Sequence, residues 1–132
     1  MPQKKILLVD DDAEDRFIIA DALETEANSS ILLYAENGAE AISVLEHIGQ
    51  SAELPCLIVL DLNMPKMNGT ETLQYLKSST GFKHIPVIIY STSENPLEKE
   101  RCIRLGALDY ITKPSSMAEW KLVTKLFLSF CQ

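Results

Sequence analysis

The sequence lacks the features that define several large classes of protein. Basic residues do not predominate, since 12 Lys and Arg face 19 Asp and Glu, for a net charge of −7. Because nucleic acids are bound by clustered basic side chains, which are scattered here, we expect no nucleic-acid partner. No apolar run approaches the ~20 residues of a membrane span, and the run near the N-terminus is too short for a signal peptide. We therefore expect a cytoplasmic protein that makes no membrane contact.

Cysteine is equally scarce. Cys56, Cys102 and Cys131 are odd in number and have neither a CxxC motif nor the spacing of metal ligands. We interpret them as small apolar side chains in a reducing compartment.

What the sequence does contain is a regular alternation of strand and helix patterns. Continuous apolar runs, typical of strands buried on both faces, lie at residues 6–9, 31–34, 57–60 and 87–90, with a weaker fifth at 110–112. Apolar residues three or four apart predict helices between them, as in the sets Phe17, Ala20 and Leu23, then Ala41, Leu45 and Ile48, then Leu73 and Leu76. This order predicts one α/β domain, residues 1–132, with a doubly wound parallel sheet.

The last predicted helix, residues 116–130, has an unusually wide apolar face. One stripe consists of Trp120, Val123, Phe127 and Phe130. Leu122 and Leu126 widen it toward the side expected to be exposed. Two interpretations stay open, a broad contact with the core and a surface for a partner or for self-association.

Polar residues follow the predicted strands where each strand ends. Asp10, Asp11 and Asp12 follow the first, Asp61 the third, Ser91 and Thr92 the fourth, and Lys113 the fifth. Parallel strands bring these residues to one edge of the sheet. Two carboxylates about 4 Å apart repel by roughly 4 kcal/mol at an effective dielectric constant near 20, so positive charge must compensate.

A divalent cation suits this predicted cluster. Lys113 supplies one positive charge, and the remaining excess of carboxylates favours a hard ion such as Mg²⁺, with Mn²⁺ as an alternative. The backbone carbonyl of Asn63 could complete the ligands from Asp10, Asp11 and Asp61. A solvated, acidic start of a helix is the simpler interpretation of the first aspartates.

With a metal bound, Asp61 becomes a candidate nucleophile toward a phosphoryl group. Mg²⁺ and Lys113 would neutralise the phosphoryl oxygens, and the Ser91 hydroxyl could donate to one of them. Backbone N–H groups near Asn63 and Thr92 could contribute further donors. Simple capping is the alternative role for Ser91 and Thr92.

Four motifs in order resemble those of a response-regulator receiver domain of the chemotaxis-regulator type, over residues 4 to about 130. They are ILLVDD at 6–11, LDLNMPKMNG at 60–69, IYST at 89–92 and DYITKP at 109–114. The resemblance implies a flavodoxin-like sheet of strand order 2-1-3-4-5 with five helices. It also implies that Asp10, Asp11, Asp61 and the Asn63 carbonyl bind the metal. Asp61 would accept a phosphoryl group from a histidine kinase or a phosphotransfer protein.

The same resemblance implies a switch. Ser91 would move toward the phosphoryl group, Tyr110 would change rotamer with it, and the peptide between Lys113 and Pro114 would be cis. The responding surface would be the fourth helix, fifth strand and fifth helix, which could also form a homodimer. An ordinary core position is the alternative for Tyr110. Asn63 and Ser93 occupy places that influence the lifetime of the phosphoryl group in the family.

The segments 47–55 and 81–86 resemble loops of single-domain regulators that pair with phytochrome-type kinases. Because the sequence ends at Gln132, we expect no output domain and signalling through an unknown downstream protein. We expect no conventional enzyme, but a domain that assists its own phosphorylation and dephosphorylation.

Three rival functions are less well supported. A flavodoxin-like cofactor protein would not place three aspartates where a flavin phosphate binds. An aspartate-dependent phosphatase would need a second acid at the position of Asn63. A receiver that is never phosphorylated would not need the full acidic set with Ser91 and Lys113.

Overall fold

The computed structural model describes residues 5–24, 31–49 and 54–131, in which five strands and five helices alternate. The strands are β1 (Ile6–Val9), β2 (Leu32–Ala35), β3 (Leu57–Asp61), β4 (Val87–Ser91) and β5 (Asp109–Thr112). The helices are α1 (Ala13–Glu24), α2 (Gly38–Ile48), α3 (Gly69–Ser78), α4 (Pro96–Arg104) and α5 (Met117–Ser129). In these ranges no helix has the length and apolarity to cross a bilayer.

The strands form one parallel sheet in the order β2-β1-β3-β4-β5. This confirms the predicted doubly wound α/β fold and its strand order. β3 and β4 each extend one residue beyond the predicted run, to Asp61 and Ser91. Asp61 pairs in register with Tyr90, and Ser91 pairs with Thr112. The polar residues at the strand ends therefore meet at one edge of the sheet.

Hydrophobic cores lie on both faces of the sheet. Alternate residues of each strand point to opposite faces, so Leu7 belongs to one core and Leu8 to the other. α2, α3 and α4 supply residues such as Leu45 to the first core, whereas α1 and α5 supply Ile19 and Phe127 to the second. Burial on both faces explains why the strands are apolar without alternation.

Helix α1 buries a different set of apolar residues from the one that predicted the helix. Phe17, which belongs to the apolar set that predicted this helix, is 73% exposed, whereas Ile19, Ala22 and Leu23 are buried. Both sets have spacings of three or four residues, so periodicity alone did not distinguish them. The predicted helix is confirmed, and of its predicted set Leu23 is buried whereas Phe17 is exposed.

Helix α5 uses only part of its wide apolar face for the core. Ser116 caps the helix by accepting a hydrogen bond from the Glu119 N–H at 3.2 Å. Trp120 and Phe127 are buried as predicted, but Leu122 and Leu126 are 67% and 39% exposed. A broad core contact is therefore excluded for these two leucines.

The interpretation of the cysteines was wrong for two of them. Cys56 precedes β3, Cys131 follows α5, and a disulfide joins them across 75 residues of sequence, with Cα atoms 5.4 Å apart. Cys102 is buried as a free thiol, in agreement with the prediction. The pair was missed because only the tertiary fold brings the two positions together. The cysteines therefore do not indicate a reducing compartment.

The connection from β3 to α3 is tightly built. A Cβ atom at Gly69 would overlap the carbonyl oxygen of Asp61, so this position requires glycine. Lys66 adopts a left-handed conformation with a φ of 65°. Asn68 and Glu71 form a capping box at the start of α3. The loop after Asp61 is thus fixed by local geometry.

Candidate functional site

Three carboxylates converge at the carboxyl edge of the sheet. Asp10 directly follows β1, Asp11 comes next, and Asp61 is the last residue of β3. One carboxylate oxygen from each lies within 4.8 Å of the others. Asp10 and Asp61 are buried and Asp11 is exposed. This edge of the sheet therefore concentrates negative charge beside solvent.

Lys113 reaches into the cluster from the end of β5. Its Nζ atom lies 3.3 Å from Asp10 Oδ2 and 3.5 Å from Asp61 Oδ2. Its shortest ion pair is with Asp15 Oδ2, at 2.7 Å. The backbone N–H of Lys113 donates to the Ser91 carbonyl at 2.7 Å, which fixes the start of the side chain. Sequence reasoning assigned no structural role to Asp15.

The electrostatics of the site favour a cation. Burial raises the pKa of Asp61 to about 7; Lys113 opposes this change and the negative charge of Asp10 adds to it. Burial alone would lower the pKa of Lys113, but the hydrogen bond to Asp15 and the charges of Asp10 and Asp61 raise it above its usual value. Without a metal cation, Lys113 therefore compensates the negative charge of the carboxylates only in part.

The chemistry of these ligands fits a divalent ion. Carboxylate oxygens are hard donors, and their spacing allows one small cation to contact several of them. The backbone N–H of Asn63 donates to Asp61 Oδ1 at 3.4 Å, so the start of the following loop is close to the cluster. The described residues at this edge can therefore hold a divalent cation.

Asp10 is held by several donors. The Asp12 N–H donates to Asp10 Oδ1 at 2.9 Å, and the buried Tyr90 hydroxyl donates to Asp10 Oδ2. Arg16 donates to the Asp10 backbone carbonyl at 2.5 Å. Burial raises the pKa of Tyr90 well above its usual value, and the negative charge of Asp10 adds to this effect. The hydrogen bonds from Asp12 and Tyr90 orient the first carboxylate of the cluster, and that from Arg16 holds its backbone.

Sequence reasoning missed Tyr90 because it belongs to an apolar run. A tyrosine hydroxyl usually finds a partner when buried, and Tyr90 comes directly before Ser91 at the end of a strand. That position was the available signal. The ring also contacts α5, because Trp120 meets it edge-on with centroids 6.3 Å apart.

The predicted phosphoryl-binding residues lie around the same edge. Ser91 is buried at the end of β4, and its Oγ accepts a hydrogen bond from the Ser93 N–H at 3.1 Å. Asn63 and Thr92 are exposed at the ends of β3 and β4. Their roles toward a phosphoryl group stay predictions.

Tyr110 is buried in β5 and is connected to the segment after β4. Its hydroxyl donates to the Ser93 carbonyl at 2.9 Å. Tyr110 is therefore in contact with the chain two residues beyond Ser91, while its rotamer change stays a prediction. The expected cis peptide between Lys113 and Pro114 is wrong for this structure, where the bond is trans. The motif alone did not determine the peptide geometry.

Comparison with known proteins identifies the class that this fold and site define. The model of the response regulator receiver domain matches residues 6–125, and the chain belongs to this family. The predicted resemblance is confirmed. Receiver domains exchange signals with histidine kinases or phosphotransfer proteins.

Particular relatives include both short and long proteins. Response regulator Rcp1 of Synechocystis is 32% identical over 120 residues, which cover 89% of this chain and 82% of Rcp1. The protein-glutamate methylesterase/protein-glutamine glutaminase of Methanococcoides burtonii is 36% identical over 129 residues. That match covers 92% of this chain, which spans only 34% of the methylesterase.

Solved structures of regulators resemble the chain along nearly its whole length. The phosphorylated cyanobacterial phytochrome response regulator RcpA is 36% identical with a TM-score of 0.85. The Mn²⁺-bound form of Rcp1 is 30% identical with a TM-score of 0.81. Each comparison covers 98% of this chain and 94% of the other.

Proposed function

We propose that this receiver accepts a phosphoryl group on Asp61 from a histidine kinase or a phosphotransfer protein, in a Mg²⁺-dependent reaction. The observation that carries the proposal is the convergence of Asp10, Asp11 and Asp61 with the ammonium of Lys113 at one edge of the sheet. The similarity to phosphorylated RcpA and Mn²⁺-bound Rcp1 supports it. Mn²⁺ is the alternative cation.

Different residues of the chain would bind the metal, accept the phosphoryl group and neutralise its charge. Asp10, Asp11, Asp61 and the Asn63 carbonyl would hold Mg²⁺, which when bound neutralises charge on the phosphoryl oxygens. A carboxylate oxygen of Asp61 forms a bond to phosphorus while the bond between phosphorus and the donor's imidazole nitrogen breaks. The electron pair of the broken bond stays with the imidazole. Lys113 neutralises a phosphoryl oxygen.

Hydrogen-bond donors at the neighbouring strand ends would complete the phosphoryl site. The Ser91 hydroxyl would donate to another phosphoryl oxygen, and the backbone N–H groups of Asn63 and Thr92 could donate as well. Ser91 is well placed for this role because β4 lies next to β3 and ends at the same edge.

Phosphorylation would be transmitted through Ser91 and Tyr110. Movement of Ser91 would pull on the segment that contains Ser93, whose carbonyl accepts the Tyr110 hydrogen bond. A change of the Tyr110 rotamer would then alter the surface formed by α4, β5 and α5. Exposed apolar side chains on this surface support its use by a downstream protein or in a homodimer; they are Leu97, Ile103, Leu108, Leu122 and Leu126.

The similarity to Rcp1 and RcpA supports a kinase of the phytochrome type as the partner. We infer that residues 1–132 act as a single receiver without turnover of an external substrate. A kinase that draws its phosphoryl group from ATP would place the protein in the cytoplasm.

Incubation with Mg²⁺ and acetyl phosphate or a phosphoramidate tests the proposal. Intact-mass spectrometry should detect one added phosphoryl group, which EDTA should prevent. Asp61→Asn should abolish the addition, whereas the exposed α1 variant Asp21→Asn should retain it. An unmodified wild-type protein, or full modification of Asp61→Asn, would overturn the proposal.

A further inference from the structure

We propose that Asp15 competes with the phosphoryl group for the ammonium of Lys113 and thereby weakens the binding of a phosphoryl-like anion at Asp61. This inference rests on the proposed phosphorylation of Asp61. Asp15 lies in the first turn of α1, and its Oδ2 atom is 2.7 Å from Lys113 Nζ. The same nitrogen is 3.5 Å from Asp61 Oδ2. The ammonium of Lys113 is therefore closer to the carboxylate of Asp15 than to that of Asp61, the proposed phosphoryl acceptor.

The contact between Asp15 and Lys113 is protected and held in place. The side chain of Lys113 is 9% exposed and that of Asp15 is 22% exposed, so solvent screens the pair only partly. The Tyr90 ring, with its centre 4.7 Å from Nζ, limits the space around the ammonium. Asp12 Oδ1 accepts the Asp15 N–H at 3.3 Å, which anchors the start of α1 beside the site.

The number of donors on Lys113 makes this contact competitive. An ammonium has three N–H donors; here it donates to Asp10 and Asp15, and Asp61 lies within ion-pair distance. A phosphoryl group on Asp61 brings further anionic oxygens that also need the ammonium. Since Asp15 already neutralises part of its charge, Lys113 stabilises the phosphoryl oxygens less than an unpaired lysine would.

Asp15 should affect the binding of a cation and the binding of an anion at this site in opposite directions. Its negative charge attracts a divalent cation to the cluster and disfavours an anion on Asp61. If Asp15 only held α1 in place, its replacement would instead weaken the binding of both ligands or leave both unchanged. The opposite signs are therefore the specific signature of competition.

The test compares Asp15→Asn with Glu14→Gln, which removes the same charge from the same helical turn at an exposed position. Trp120 contacts the Tyr90 ring and provides a fluorescence signal for Mg²⁺ and for beryllofluoride at saturating Mg²⁺. Intact mass follows the phosphorylation of each protein by acetyl phosphate. For Asp15→Asn we expect Mg²⁺ affinity to fall and beryllofluoride affinity to rise, each by roughly three- to tenfold. Glu14→Gln should change each by less than about twofold.

Several results would overturn the inference. Weaker beryllofluoride binding in Asp15→Asn would show that Asp15 supports Lys113. Equal effects of Asp15→Asn and Glu14→Gln would attribute the change to general charge. Asp15→Ser provides the same comparison if Asp15→Asn does not fold. A wild-type protein that is never phosphorylated refutes the proposed function, whereas normal phosphorylation with an unchanged beryllofluoride affinity in Asp15→Asn refutes only this inference.

Discussion

The hydroxyl of Tyr90 donates a hydrogen bond to the buried carboxylate of Asp10. The two residues come from the neighbourhoods of β4 and β1, which are separated in the sheet by β3. The tyrosine therefore reaches across the strand that carries Asp61 to orient the first acid of the cluster.

Tyr90→Phe should destabilise the metal-free protein by about 1–3 kcal/mol, because Asp10 loses a donor in a buried position. Urea denaturation in EDTA measures this change in the free energy of unfolding. Tyr75→Phe is the control, since Tyr75 is exposed on α3, and it should change stability by less than about 0.5 kcal/mol. Equal stability of Tyr90→Phe and the wild type would contradict a structural role for the hydroxyl.

The stability of the metal-free protein should depend on pH through Asp61. Its pKa is about 7 in the folded protein and near 3.8 in the unfolded chain, so folding favours the protonated form. The contribution of Asp61 to stability is complete below about pH 4 and is lost as pH rises through about 7. Relative to Asp61→Asn, the wild type in EDTA should therefore lose stability over this interval.

Thermal melting of both proteins in EDTA between pH 4 and 8 measures this dependence. Saturating Mg²⁺ should restore the stability of the wild type near neutral pH, because it binds the ionised carboxylates. A constant difference between the two Tm values across the interval in EDTA would refute the prediction.

The disulfide between Cys56 and Cys131 should contribute measurably to stability. A loop closed across 75 residues is worth up to about 4.5 kcal/mol in the chain-entropy model. Reductant should therefore lower the Tm of the wild type but not that of Cys131→Ser. Alkylation in denaturant should label only Cys102 before reduction and all three cysteines afterwards. Labelling of all three without reductant would show that the bond does not form.

Because Lys66 has a left-handed backbone conformation, a substitution at this position should stabilise the protein. A residue with a Cβ atom costs roughly 1–2 kcal/mol in that conformation, and asparagine tolerates it better than lysine. Lys66→Asn should therefore stabilise the protein by roughly 0.5–1 kcal/mol in chemical denaturation. Lys83→Asn, at an exposed position without a positive φ, should not stabilise it. Destabilisation by Lys66→Asn would contradict the argument.

The fold could be predicted because short stretches of the sequence mark its strands and the residues at their ends. Apolar runs marked the strands to within one residue, since a strand covered on both faces needs no polar side. The ends of those runs located Asp10, Asp61 and Lys113, because parallel strands share one edge. Helix orientation was less certain. Phe17 and Ile19 both fit a helical repeat, and only packing against the sheet selected Ile19.

The missed features all depend on contacts between distant parts of the chain. Tyr90 has an apolar ring that satisfies the strand pattern, so its hydroxyl contact with Asp10 was not visible. Asp15 looked like one of several acids at the start of a helix, and its contact with Lys113 joins α1 to the end of β5. Cys56 and Cys131 meet only because the end of α5 lies against the start of β3.

The covalent bond at Cys131 determines how α5 can respond to events at the opposite edge of the sheet. The carboxyl end of the helix is fastened to the base of β3, whereas Met117 begins the helix shortly after Lys113 and Pro114. A rigid helix of 13 residues held at one end behaves as a lever about 20 Å long. A small rotation about that pivot produces its largest displacement near Met117.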